Sequence, residues 1–186
     1  MSNTQKTAGQ PEIDELTFRH TIGLFATGVT VVACGDGDTL RAAMTANAVT
    51  SLSLDPMLLI VCVHKKARLA AQLLADEGFS VNILHQEQQD LSNYFAGGWK
   101  EDAPPHYEFV KWQGGPRLKG CAAAIGCEHY QVVEGGDHWI VIGKVVAVHR
   151  GDDSQNPLLY YQGQYRALAA EPGYEIPAIW DFGMVQ

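Results

Sequence analysis

The chain has no long apolar run. Its longest uninterrupted stretch, Met57 to Val63, is strand length, well short of the ~20 residues that span a bilayer. The four cysteines, Cys34, Cys62, Cys121 and Cys127, form no CxxC pair. Each sits in an apolar, strand-like stretch, which predicts buried free thiols in a reducing compartment and argues against a zinc site. Positive charge is scarce. Thirteen Lys and Arg face twenty-one Asp and Glu, for a net charge of -8, and an acidic surface repels nucleic-acid backbones at long range. No GxGxxG follows a strand, which argues against a dinucleotide-binding Rossmann domain. GxSxG and HExxH are also absent, so neither a nucleophile-elbow hydrolase nor a zincin is expected. The polar segment Met1 to Gln10 lacks the apolar core of a signal peptide. Together these absences predict a cytoplasmic protein that binds neither nucleic acid nor membrane and holds no metal.

What is present is one globular domain's worth of chain, 186 residues with 46% hydrophobic side chains, enough to bury a core. Residues 1–12 are expected to form a flexible tail, 13–170 the domain, and 171–186 a C-terminal extension. Phe18, Ile22 and Phe25 fall at helical spacing, with Asp14 as N-cap and Gly28 as the stop. The runs 29–34, 58–63 and 79–84 are rich in β-branched and apolar residues and predict strands. Gly35-Asp36-Gly37-Asp38 is expected to turn the first into a strand beginning at Leu40. Residues 67–76 and 86–95 carry apolar positions at helical spacing. Residues 97–113, with Pro104 and Pro105, are expected to be a mobile lid or insertion. Residues 121–133 and 138–150 predict two long strands joined by Glu134-Gly135-Gly136-Asp137. The second is apolar on both faces, as for a strand covered on both sides. A last strand is expected at 158–161. Short strands linked mostly by hairpins, with few helices and no βαβ alternation, predict a mainly β protein: a Greek-key or up-and-down barrel with peripheral helices.

Three constellations could carry chemistry. In Ala43-Met44-Thr45-Ala46-Asn47, followed by Ser51 and Ser53, small and uncharged polar residues follow a strand. Such a segment can set backbone N–H groups and an amide against a planar polar ring such as isoalloxazine, whose reduction places negative charge along one edge. By itself the pattern fits a polar loop better. His64-Lys65-Lys66 with Arg68 is the densest basic cluster in an acidic chain, and it opens a helix. It could bind a phosphate, or simply be a solvated turn. Gly136-Asp137-His138 places a histidine where a turn enters a buried strand. His138 could face a pocket and hydrogen-bond a nicotinamide carboxamide or a flavin edge, with Asp137 setting its tautomer; alternatively, both serve the turn and its packing.

The order and spacing of these segments resemble a known family. The matching stretches are Phe18-Arg19 with Gly23, Phe25-Ala-Thr-Gly-Val-Thr-Val-Val32, Met44-Thr-Ala-Asn47, Ser51-Leu-Ser-Leu-Asp-Pro56 and Val61-Cys-Val63. They continue with Phe79-Ser-Val-Asn-Ile-Leu84, Gln89-Asp-Leu-Ser92 with Phe95-Ala96, Gly136-Asp-His138 and Pro157-Leu-Leu-Tyr-Tyr161. Over residues 18–168 the chain resembles the short-chain flavin reductases of the split-barrel FMN-binding fold, typically reductase components of two-component flavin monooxygenases. The resemblance implies a homodimer built on a six-stranded antiparallel split barrel, with FMN or FAD near the subunit interface and NADH or NADPH as co-substrate. It implies that Thr30, Met44, Thr45, Ala46 and Asn47 line the isoalloxazine and ribityl chain, and that Ser51 and Ser53 lie near the ribityl or phosphate. Cys62, Val63, His64, Lys65 and Lys66 would form the phosphate segment. Asp137 and His138 would serve the nicotinamide, with His138 as the catalytic-site histidine. The implied function is NAD(P)H-dependent reduction of flavin for a partner oxygenase. Two alternatives stay open: reduction of a ferric chelate or corrinoid on the same fold, and flavin binding without turnover. The chain departs from the family's usual pattern in two places. It has His64-Lys65-Lys66 where a small hydroxyl or an Arg is common, and Gln162-Gly163 where Arg-Gly often follows the paired tyrosines.

Overall fold

The computed structural model describes residues 13–36, 39–75, 78–152 and 155–168. The expected N-terminal tail and C-terminal extension lie outside the described residues, as do Gly37 and Asp38 of the first turn. The first helix, α1 (Glu15–Ile22), is capped as its sequence predicts, since the Asp14 carboxylate accepts the Thr17 N–H at 2.7 Å. It stops at Gly23, not Gly28. The Gly23 N–H bonds to the Arg19 carbonyl, while Gly28 belongs to the short strand β1 (Thr27–Gly28). No residue of α1 is buried.

The next elements are β2 (Thr30–Asp36), β3 (Thr39–Ala46), β4 (Val49–Leu54), β5 (Met57–His64), α2 (Arg68–Ala75) and β6 (Gly78–Ile83). A 3-10 turn, Gln86–Gln88, leads into α3 (Gln89–Phe95). The remainder comprises β7 (Phe109–Val110), β8 (Arg117–Leu118), β9 (Ala123–Gly135), β10 (His138–Arg150), β11 (Leu159–Tyr161) and β12 (Gln164–Arg166). Seven strands form one antiparallel sheet in the order β3-β2-β6-β9-β10-β5-β4. The expected mainly β architecture is present, but the expectation of six strands closed into a barrel is corrected. The sheet has a seventh strand, and its two edge strands, β3 and β4, do not pair. They are consecutive in the chain, joined only by Asn47 and Ala48. The reason is local. The Thr30 hydroxyl donates to the Ala46 carbonyl at 2.7 Å, and the Cys62 N–H donates to the Ala48 carbonyl at 3.0 Å. The link is thus held by β2 on one side and β5 on the other, and it steps between edges instead of folding back as a hairpin.

Two cores sit on opposite faces of the sheet. The inner one gathers Val32, Cys34, Leu59, Val61, Val63, Phe79, Val81 and Val141, and α2 closes it with Leu69, Ala70 and Leu73. The second gathers Val29, Val31, Leu84, Leu118 and Ala124 under Leu91 of α3. Side chains alternate along a strand, so Val31 and Val32 enter different cores, which explains the unbroken apolar run of β2. Residues 97–113 are not wholly the expected lid. Tyr107, Phe109 and Trp112 pack on the second core, and β7 pairs with β8. The 115–118 segment is pinned by a buried polar network. Asn82 accepts the Leu118 N–H at 2.8 Å and donates to the Val31 carbonyl at 3.0 Å, while Ser80 donates to the Pro116 carbonyl.

The β9–β10 hairpin turns on Gly136 and Asp137, with Gly136 at φ 62°, the positive φ that such a tight turn demands. Along β10, Trp139, Val141 and Val145 join the inner core as expected. Ile140 and Ile142, on the other face, stay half-buried. Within this chain, that face of β10 is not covered as its sequence predicts.

Candidate functional site

The basic turn and the glycine-aspartate-histidine turn, separate in sequence, meet at one end of the sheet. In the β10–β5 register His138 stands opposite His64, and Trp139 opposite Val63. The backbone closes the junction, since the Lys65 N–H donates to the Asp137 carbonyl at 2.9 Å. Asp137 Oδ1 lies 2.7 Å from His138 Nδ1, and Asp137 Oδ2 lies 3.7 Å from His64 Nε2. The hydrogen bond from His138, and then its charge and that of His64, hold the Asp137 carboxyl below the usual carboxylate range.

Strand parity divides this cluster. His64 and His138 are cross-strand partners on the outer face, beside Cys62 and Ile140. Lys65 turns to the other face. Its ammonium pairs with Glu134 and stands over the Trp139 ring, 5.0 Å from the centroid. Glu134 is the β9 partner of Trp139, and its carboxyl is lowered by the hydrogen bond and charge of Lys65. Lys66 is exposed, and no ion pair engages it among the described residues. Its N–H donates to His64 Nδ1 at 3.0 Å.

The first constellation borders this end through the backbone. The Ala48 carbonyl accepts the Cys62 N–H, so the 47–48 link runs beside Cys62 and Val63. Met44, Thr45 and Ala46 belong to β3 itself rather than to a loop after a strand. The Thr30 hydroxyl and Ala46 share a buried hydrogen bond. Thr45 donates to the Ser92 carbonyl at 2.7 Å, and Asn47 Nδ2 reaches Thr27 Oγ at 3.3 Å. Asn47 and Ala48 are exposed. Ser51 and Ser53 lie further along β4, opposite Leu59 and Leu58. Ser53 is therefore roughly 15–20 Å along the sheet from His64, at ~3.3 Å per residue. The Cys62 thiol is half-buried, and burial pushes its pKa up.

The sequence pattern does not mark Glu134, Trp139, Ser92 or Tyr165 as site residues. Glu134 reads there only as part of a turn. Its one available signal is an acid placed two residues before the turn glycine Gly136, where a long hairpin brings it beside the basic turn. Ser92 bridges Thr45 and Tyr165, whose hydroxyl lies 2.8 Å from Ser92 Oγ.

The residues at this end suit a flavin and a nicotinamide. The 44–48 segment carries no charge, Asn47 offers an exposed amide, Lys66 supplies an unengaged cation for a phosphate, and His138 has one ring nitrogen free of Asp137. Among the described residues no three His, Cys, Asp or Glu side chains cluster as a metal site, and no helix is long and apolar enough to cross a membrane.

Comparison with known proteins identifies the family. Residues 22–169 match the "Flavin reductase like domain" family. The chain is 35% identical over 168 residues to an NADH-dependent flavin reductase of a Rhodococcus species, covering 88% of this chain and 93% of that protein. It is 38% identical over 151 residues to the reductase component of 4-hydroxyphenylacetate 3-monooxygenase from Thermus thermophilus, covering 81% of this chain and 95% of that one. Among solved structures it is similar to the Streptomyces globisporus NADH:FAD oxidoreductase in complex with NAD and FAD fragments. The TM-score is 0.76 at 32% identity, covering 86% of this chain and 96% of that one. With a family match over residues 22–169 and relatives of 35% and 38% identity aligned over most of both chains, the chain belongs to the flavin reductase-like family.

Proposed function

We propose that this protein is an NAD(P)H:flavin oxidoreductase that supplies reduced FMN or FAD to a partner oxygenase. The observation that carries the reading is the convergence of the Asn47–Ala48 link, the end of β5 with the turn at Lys65–Lys66, and Asp137–His138 at one end of the sheet. A flavin held there would supply the hydride acceptor for a reduced nicotinamide. The chain's own groups bind and orient. Met44–Ala46 would line the ring through the β3 backbone, and the exposed Asn47 would turn its amide to the negative charge that develops there, with no formal cation in this segment. Lys66 neutralises phosphate as a point charge. His138, held through Nδ1 by Asp137, orients the carboxamide and moves no proton, because hydride transfer needs none. Ser51 and Ser53 would contact only a ligand extended along β4.

The finer architecture of this reading is a homodimer. The seven-stranded sheet, open between β3 and β4, is this chain's form of the split barrel. A second copy would cover the outer face of β10 and β5 and the end of β9, where Val133 is exposed and Ile60, Ile140 and Ile142 are half-buried within one chain. Contiguous exposed apolar side chains on one sheet face mark an interaction site. The His64–His138 end borders that face, so the flavin would lie near the subunit seam.

Two measurements test the reading. NADH and NADPH oxidation is followed by nicotinamide absorbance with FMN, FAD and riboflavin; turnover at background with every pair overturns it. Sedimentation of the wild type should give a dimer mass, and Val133→Glu a monomer. A monomeric wild type at micromolar concentration removes the dimer from the proposal.

A further inference from the structure

One carboxylate serves two imidazoles. Asp137 Oδ1 receives His138 Nδ1 at 2.7 Å, while Asp137 Oδ2 faces His64 Nε2 at 3.7 Å. The rings stand edge to face with centroids 5.1 Å apart and planes at 80°. The second nitrogen of His64 is also assigned by geometry, because Nδ1 accepts the Lys66 N–H at 3.0 Å. A ring nitrogen that accepts carries no proton, so neutral His64 keeps its proton on Nε2, the atom turned toward Asp137. His138 donates Nδ1–H to the same carboxylate, and its Nε2 is left as an acceptor. Each tautomer is thus set by a different partner, and Asp137 joins the two rings.

We propose that His64 is a positioning residue for His138, acting through Asp137. The Asp137 side chain is 76% exposed. Its backbone is held by the Lys65 N–H; among the described residues the two histidines are the side chains that engage its carboxylate, which otherwise meets only its own backbone N–H and solvent. With His64 in place the carboxylate stays beside His138 Nδ1, and Nε2 accepts from the amide –NH2 of a reduced nicotinamide. Without it, His138 populates the tautomer whose Nε2–H opposes that amide N–H. The inference rests on the reading of His138 as the nicotinamide histidine. It assigns His64 to dinucleotide recognition rather than to the flavin phosphate.

The test uses the full chain with substitutions that divide the two ring nitrogens of His64. Glutamine can place an N–H donor near the position of Nε2, and asparagine an acceptor near the position of Nδ1. His64→Ala is expected to raise the KM for NADH about five- to tenfold, the scale of one hydrogen bond, with kcat and the flavin Kd within about twofold. His64→Gln should recover part of that loss and His64→Asn none. In an Asp137→Asn background the His64 variants should no longer differ, as coupled residues require. Circular dichroism and flavin fluorescence quenching confirm that each variant folds and binds flavin. The proposal is overturned if Asn rescues and Gln does not, which assigns His64 to capping the turn. It is also overturned if His64→Ala leaves the NADH KM unchanged while flavin-dependent turnover persists. Absent turnover in the wild type instead removes the flavin reductase reading beneath it.

Discussion

Lys65 and His64 are consecutive in the chain yet serve opposite faces of the sheet. His64 stands with His138 on the outer face, while Lys65 reaches Glu134 and the Trp139 ring on the other. The dense basic cluster of the sequence is therefore not one anion site. One cation is neutralised by an acid and stacked on an indole, and Lys66 alone of the two lysines is exposed without an ion pair among the described residues.

That separation predicts different outcomes for the two lysines. Lys66→Ala should weaken FMN and FAD binding several-fold while leaving riboflavin, which has no phosphate, nearly unchanged. Lys65→Ala should weaken all three flavins about equally, because it loosens the turn rather than removing a phosphate contact. Fluorescence titration with the three flavins checks this. An FMN-selective defect in Lys65→Ala and none in Lys66→Ala would reverse the assignment.

His138→Ala should raise the nicotinamide KM about tenfold or more and change the flavin Kd much less. Steady-state kinetics paired with flavin titration gives both values. A larger effect on flavin binding would move His138 to the flavin site.

The four thiols should differ sharply in reactivity. Cys34, Cys121 and Cys127 are buried. Burial pushes Cys127 up to about 12 and is the largest influence raising Cys121. Only the thiolate reacts. An aromatic disulfide reagent at mildly alkaline pH should therefore modify Cys62 slowly and the others only after denaturation. If Cys62 lies in a subunit seam, Val133→Glu should accelerate its modification. Rapid labelling of Cys127 in the native protein would contradict the packing.

Acid should destabilise the fold through a defined set of surface carboxylates. Glu134 is held low by the hydrogen bond from Lys65, Glu108 by that from Lys119, Asp14 by the Thr17 N–H and Asp137 by His138. A carboxyl with a depressed folded pKa contributes stability that is complete above its unfolded value, near ~4. That stability is lost as the pH falls through the lower folded value. The melting temperature should hold steady from neutral pH to about 5 and fall below about 4. Replacing Glu134 and Glu108 with Gln should make that fall shallower. Thermal melts across the acid range decide it, and an unchanged slope in the double variant would show that these pairs are not formed.

Much of the fold was legible because local chemistry agreed with it. Asp14 caps α1 because its carboxylate reaches Thr17 whatever lies beyond. Gly136-Asp137 turns the long hairpin because glycine accepts the positive φ. Leu69 and Leu73 mark the buried stripe of α2. Less was legible where a neighbour from elsewhere in the chain decided the outcome. β12 is three residues, Gln164–Arg166, recognisable only by its pairing with β11. Residues 107–112 read as loop, yet their aromatic rings complete the second core. The open seam between β3 and β4 depends on two carbonyls, of Ala46 and Ala48, captured by Thr30 and Cys62.

The strand-rich class, most of the caps and turns and the residue types able to meet a flavin and a nicotinamide were readable from the chain alone, as was burial of its thiols, expected for all four and found for Cys34, Cys121 and Cys127 but only in part for Cys62. These follow from side-chain periodicity, from backbone freedom at glycine and from charge, all properties of neighbouring residues. Which of those residues share a face was settled by the folded sheet. The alternation of side chains across β5 and β10 sends Lys65 to Glu134 and His64 to Asp137, and that separation exists only once two strands far apart in the chain have taken up one register.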